Sequence, residues 1–267
     1  MGKHVTPGTP HGMQRKMFTI PPMSRIVITG IGWVTPLGHD IETVWANLLA
    51  GKSGASQTDR FDAATFPTTF SAQVRGYDYR KFVSRPECHD GIGLNTAFAL
   101  GAASQAWKMA GLDTFAGLKS ERCGIYLGSG EGSLDSANYF ATNIAGWDEA
   151  TQKVDGVKWA ATGYRRFSAV KEMEQEPNQP LSHIAMEFGI EGPAYNCLTA
   201  CAASTQALGE AFEILNRGDA DVMIAGGAHT MIHPLGVTGF NRLTALSNRN
   251  ESPPPPRAPS PPTATAS

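Results

Sequence analysis

The residue best placed for covalent chemistry is Cys201, in the stretch AYNCLTACAASTQALGEAFEIL at positions 194–215. A short apolar run, Tyr195–Leu198, leads into Thr199-Ala200-Cys201-Ala202, and a helical pattern rich in small residues follows. A thiol at a strand-to-helix turn sits where the helix N-terminus contributes partial positive charge. That field favours thiolate, the nucleophilic form of cysteine. The plainer alternative is a packed core thiol, since free cysteine is among the most buried residue types.

The other candidate groups carry less. Cys197 lies four residues before Cys201. A zinc site needs more ligands at tighter spacing, and no second Cys/His pair lies nearby, so no metal is expected. His229 and His233 read as structural or surface histidines. The run Gly128-Ser-Gly-Glu-Gly-Ser133 follows an apolar segment, a setting in which backbone amides can cradle phosphate. Most such turns need only tight geometry. Gly30 and Gly32 open a G-x-G, but Thr35 stands where a dinucleotide fingerprint requires its third glycine.

The elements that must hold Cys201 follow from pattern. Arg25–Gly30 reads as a buried strand. Asp40 caps a helix running to Ala50, with Gly51 ending it. Residues 52–89 are irregular, and Asp90–Ala110 reads as a long helix stopped by Gly111. Strands are expected at Arg122–Leu127, Tyr195–Leu198 and Asp221–Ala225, with a short helix at Leu181–Phe188 closed by Gly189. In the helix after Cys201, Ala203, Ala207, Leu208, Ala211, Ile214 and Leu215 recur at helical spacing, and Gly218 stops it. Ala202 and Gly209 extend its small or apolar character round much of the circumference, which predicts cover on more than one side. Strands alternating with helices imply an α/β protein whose mainly parallel sheet is covered by helices on both faces.

Composition sets limits. A net charge of −2 gives no electrostatic case for nucleic acid or an anionic membrane surface. No apolar run approaches the ~18 residues that span a bilayer. Four scattered cysteines, Cys88, Cys123, Cys197 and Cys201, do not make a disulfide scaffold and suit a reducing cytoplasm. Residues 1–24 read as a disordered extension, with Met23 as a natural start; no acidic residue occurs before it and no apolar signal-peptide core is present. Residues 25–250 form the domain. Residues 251–267 hold seven prolines in 17 positions and read as a disordered tail.

Three strings together resemble the β-ketoacyl-acyl-carrier-protein synthases of the elongating type. They are VITGIGWVTPLG at 27–38, TACAAST at 199–205, and AGGAHTMIHPLGVTGF at 225–240 with ALS at 245–247. The resemblance runs from about Arg25 to Arg249 and implies the N-terminal half of a thiolase-like fold. It implies that Cys201 takes an acyl chain as a thioester from acyl carrier protein, after which decarboxylated malonyl-ACP attacks that thioester, in fatty acid or polyketide elongation. The substrate arrives on the phosphopantetheine arm of the carrier, so the chain needs no cofactor of its own. The implied partners are acyl carrier protein and, in the complete member, a second copy in a homodimer.

Two departures stand out. His229 occupies a position where most members carry glutamate. Residues 147–180 are longer and more polar than the family pattern, resembling an insertion at the rim of the site. The family continues into a second half bearing two histidines, a lysine and an oxyanion-hole loop, for which this sequence has no counterpart. Condensation by this chain alone is therefore not expected. The first reading is a partial or frame-shifted copy of an elongating synthase. A second is a non-catalytic fragment or interaction module with a relic cysteine. A third, an initiating synthase or thiolase, fits TACAAST with the downstream AGG and ALS less well.

Overall fold

Three parallel strands set the frame: β3 (Cys123–Gly128), β6 (Ala194–Cys197) and β7 (Val222–Gly227), in the order β6-β3-β7. The structure is a computed structural model that describes residues 25–251. The extension over 1–24 and the proline-rich tail after Glu251 lie outside the described residues. Gly128 is level with Cys197 on one side and with Gly227 on the other, so all three strands end on one line.

Helices cover both faces of this sheet. On one lie α2 (Leu94–Met109) and α6 (Gln179–Phe188), on the other α7 (Ala203–Arg217). Leu100, Ile125 and Ile184 are fully buried between α2, β3 and α6, and Trp107 stacks on Phe188 at 4.6 Å. On the opposite face Ala203, Ala207, Ala211 and Ile214 are buried along one stripe of α7. The covered parallel sheet expected from the alternation of elements is thus present. Both α6 and α7 end at a glycine in the left-handed conformation, Gly189 and Gly218, which spares a side chain the steric cost.

The peripheral elements are short. Helix α1 (Ile41–Leu49) is capped by Asp40, whose carboxylate accepts from Thr43 N at 2.7 Å. Strands β1 (Ala55–Gln57) and β2 (Phe70–Ala72) form a hairpin within the otherwise irregular stretch 52–89. The polar segment is ordered. It contains α3 (Ser136–Gly146) packed on α4 (Gly156–Arg166), the small hairpin β4 (Trp147–Asp148) and β5 (Lys153–Val154), and the short α5 (Ala169–Met173). Asp155 caps α4 through Val157 N and Lys158 N, and Trp159 donates to Asn143 across to α3. Helix α8 (Pro234–Arg242) closes the described chain.

Three expectations need correction. The run Arg25–Gly30 is neither buried nor a strand: it is extended backbone without ladder partners among the described residues, with Ile28 79% exposed. It lies against α2 instead. A Cβ on Gly30 or Gly32 would fall 2.0 or 1.8 Å from the carbonyl oxygens of Ala106 or Ala102, so these glycines serve close approach to a helix. The helix expected from Asp90 begins at Leu94, because the chain spends Pro86–His89 in a 3-10 turn and passes through left-handed Gly91. Helix α7 is covered along one stripe only. Leu208 is 50% exposed, since the sheet is its only cover among the described residues.

Candidate active site

Everything that follows the three strands converges on one rim, which is where ligands sit in open α/β sheets. After β6 come Thr199 and a 3-10 turn, Ala200–Ala202, that runs directly into α7. Cys201 sits in that turn with its side chain exposed. Ala200, just before it, has φ +52, a left-handed conformation that costs a non-glycine residue on the order of 1–2 kcal/mol. The turn is therefore held in shape by its surroundings rather than by local preference.

Two contacts hold it. The buried Cys197 thiol donates to Ala203 O at 3.3 Å, fastening the last residue of β6 to the first of α7. Gly128, level with Cys197, lets the end of β3 meet the start of α7. A Cβ there would lie 2.3 Å from the Ala203 carbonyl carbon and 2.5 Å from Ser204 N. The two cysteines thus have separate places: Cys197 is structural, and Cys201 faces outward at the helix start.

The loop after β3 is not free to cradle phosphate. Ser129 N donates to Cys197 O at 3.0 Å, Gly132 N to Gln175 O at 3.0 Å, and Ser133 N to Glu174 O at 2.7 Å. A Cβ on Gly132 would lie 2.3 Å from the Gln175 carbonyl carbon. Gly132 allows backbone contact with the residues following α5, and Gly130 close approach of the His229 ring, the tight-geometry reading. Ser129 Oγ also donates to Pro177 O at 3.0 Å.

The loop after β7 carries the two histidines. His229 lies against Gly130, with Nε2 3.5 Å from the Glu131 carboxylate. His233 caps α8 by accepting from Gly236 N at Nδ1, and burial pushes its pKa down, which keeps the ring neutral for that role. Buried Asn95, on α2, ties the two loops together. Its Nδ2 donates to Glu131 O at 3.0 Å and its Oδ1 accepts from Thr230 N at 2.9 Å. Sequence reading passed over Asn95, because a lone polar residue in a helix pattern gives no sign of its partners.

A cavity of about 350 Å³ lies beside these loops, lined in part by Arg60, Phe61, Leu134, Phe140, Ile232 and His233. Cys201 is not among its walls. Tyr195, Leu198 and Leu208, in the elements before and after the Cys201 turn, are each half-exposed.

The family profile described as "Beta-ketoacyl synthase, N-terminal domain" matches residues 23–258. The chain is 33% identical over 229 residues to 3-oxoacyl-[acyl-carrier-protein] synthase 2 of Coxiella burnetii, covering 86% of this chain and 51% of that protein. It is 33% identical over 235 residues to the chloroplastic 3-oxoacyl-[acyl-carrier-protein] synthase I of Hordeum vulgare, covering 87% and 48%. A crystal structure of a beta-ketoacyl synthase from Burkholderia phymatum STM815 superposes with a TM-score of 0.71 at 25% identity, over 90% of this chain and 54% of that one. The chain spans about half the length of the curated relatives it matches.

Proposed function

We propose, given that the chain belongs to the β-ketoacyl synthase family through its N-terminal domain, that Cys201 is the acyl acceptor of a 3-oxoacyl-ACP synthase. The observation that carries this is an exposed thiol at a held turn, directly ahead of a 15-residue helix and at the C-terminal rim of a parallel sheet. In the reaction, the Cys201 thiolate adds to the carbonyl carbon of an acyl thioester on the carrier's phosphopantetheine arm. The tetrahedral oxyanion then expels the pantetheine sulfur, which takes up a proton. One C–S bond forms, one breaks, and nothing is oxidised or reduced. Condensation with malonyl-ACP, in fatty acid or polyketide elongation, completes the proposed activity of the whole protein.

Acyl carrier protein is the proposed partner, in keeping with the names of the matched relatives. A second copy of the chain is proposed to pair through β6. Its outer edge has no strand partner among the described residues and exposes Tyr195, and such an edge is a template for pairing. A cytoplasmic setting is proposed from the four unpaired cysteines. No helix among the described residues is long and apolar enough to cross a membrane.

The test is intact-protein mass spectrometry after incubating the 267-residue chain with acyl-ACP. A single acyl addition, lost in Cys201→Ala and kept in Cys88→Ala, is the expected result. A folded chain that gains no acyl group would favour the interaction-module reading instead. No condensation product is expected from these 267 residues with malonyl-ACP alone.

A further inference from the structure

Away from the thiol, four side chains from three parts of the chain form one buried row. Glu187 Oε2 lies 2.9 Å from His89 Nε2, His89 Nδ1 lies 2.8 Å from His183 Nδ1, and His183 Nε2 lies 3.2 Å from Glu174 Oε1. Side-chain exposure along the row is 4%, 0%, 14% and 4%. The outer oxygens are also occupied. Glu174 Oε2 accepts from Thr96 Oγ1 at 2.7 Å and Gly93 N at 2.9 Å, and Glu187 Oε1 accepts from Ser84 N.

Counting protons along this row gives a definite answer. Burial works against the charge of both carboxylates. The bonds that they accept outweigh it and hold both below the ordinary carboxylate range. An ionised carboxylate only accepts, so each imidazole presents an N–H at Nε2. The two Nδ1 atoms then face each other at hydrogen-bond distance. Two lone pairs would repel there, and so would two N–H groups; one proton between them makes the contact a bond. The pair therefore holds three ring protons, one more than two neutral imidazoles.

We propose that Glu187, His89, His183 and Glu174 form a one-proton clamp that fastens the segment after α5, and with it the rim loop 129–133, to the core. The link to the rim loop runs through backbone. The carbonyls of Glu174 and Gln175 accept from Ser133 N and Gly132 N, and Pro177 O accepts from Ser129 Oγ. Residue 174 is thus joined by its side chain to α2 and α6 and by its main chain to the loop bordering the Cys201 turn. Neighbouring charged groups are paired elsewhere. Asp90 faces Arg80 at 3.2 Å, the Arg85 guanidinium donates to Met186 O, and Lys171 meets Asp135 at 3.1 Å. The Tyr79 hydroxyl donates to the His89 carbonyl at 2.9 Å.

A clamp of this kind has a signature in pH. Two solvated histidines together carry one excess proton on average at about pH 6.5, the number that the closed row holds. Below that pH the opened state binds more protons than the closed one, so closure strengthens as pH rises. Above it the opened state binds fewer, so closure weakens. Relative to pH 6.5, the opening equilibrium should rise about eightfold at pH 8, and somewhat more at pH 5, where the released carboxylates begin to protonate.

Hydrogen exchange read by mass spectrometry on the 267-residue chain tests this at pH 5, 6.5 and 8, after correction for intrinsic rates. Peptides covering 129–133 and 167–178 should be best protected at pH 6.5, with β3 less affected. In His183→Gln the maximum should vanish and protection of both segments should fall. Protection that changes in one direction only across this range, or a maximum that persists in the variant, would overturn the clamp. An equal change in β3 would show that the row reports on the whole fold and would overturn its role at the rim. If the variant does not fold, nitrogen-15 NMR of the histidines in the unaltered chain decides. One strongly deshielded proton correlated with both Nδ1 atoms at pH 6.5 supports the proposal. Two separate neutral rings refute it.

Discussion

Four thiols in this chain differ by position alone. Cys201 is exposed, Cys88 is half-buried, and Cys123 and Cys197 are buried, with burial pushing the Cys123 thiol up from its usual pKa. Alkylation of the folded chain at pH 7, mapped by mass, should label Cys201 first, Cys88 more slowly and the buried pair last. Faster labelling of Cys88 or Cys123 would count against the assignment of the turn. Gly128 gives a second prediction. Gly128→Ala forces a Cβ into Ala203 and should destabilise by about 1–3 kcal/mol, the usual cost of overpacking. Gly209→Ala, in open space inside α7, should instead stabilise by roughly 0.5–1 kcal/mol. Thermal melts of the two variants should move in opposite directions, and a fall in both would show that Gly209 has an unseen neighbour. The strand-to-helix turn around Cys201 was legible because its string passes from an apolar run to helical spacing. The row Glu187–His89–His183–Glu174 was not, since His89 meets partners 94 and 98 positions away and nothing local marks that meeting.

Among the elements, strands and helices with strong periodicity were read to within a few residues. The exception is instructive. An apolar run such as Arg25–Gly30 looks the same whether or not another strand lies alongside, and only the pairing decides what it becomes. Strand order was equally invisible, because β3 takes β6 and β7 as neighbours rather than the strands nearest in sequence. Helix α7 shows how a composition can overstate cover. Ala203, Ala207 and Ala211 are buried, while Leu208 on another face is not. Leu198, just after β6, and Leu208, on α7, are both half-exposed apolar side chains. Changing Leu198 and Leu208 together to serine should lower binding of a hydrophobic dye. The melting temperature should shift little, as surface substitutions usually stay within about 0.5 kcal/mol each. A large fall in melting temperature would mean that these side chains are core.

Over the molecule as a whole, acid should act mainly through buried carboxylates. Glu174 and Glu187 are held below their ordinary range despite burial, through the bonds that they accept, so they add stability above the unfolded carboxylate pKa. That contribution is lost as pH falls below about 4.5 and then through their folded values. Denaturant melts of the chain with Glu174→Gln and Glu187→Gln together should show a flatter decline in this acid range than the unaltered chain. An unchanged slope would place the acid sensitivity elsewhere. The parallel sheet has one further consequence. Strands β3, β6 and β7 all end at the rim, so the connection from β3 to β6 can lengthen without altering the main-chain scaffold that presents the sulfur. The paired helices and small hairpin of residues 136–173 occupy that connection. Selection can therefore rework them as a detachable cassette while the main-chain scaffold around Cys201 is inherited intact.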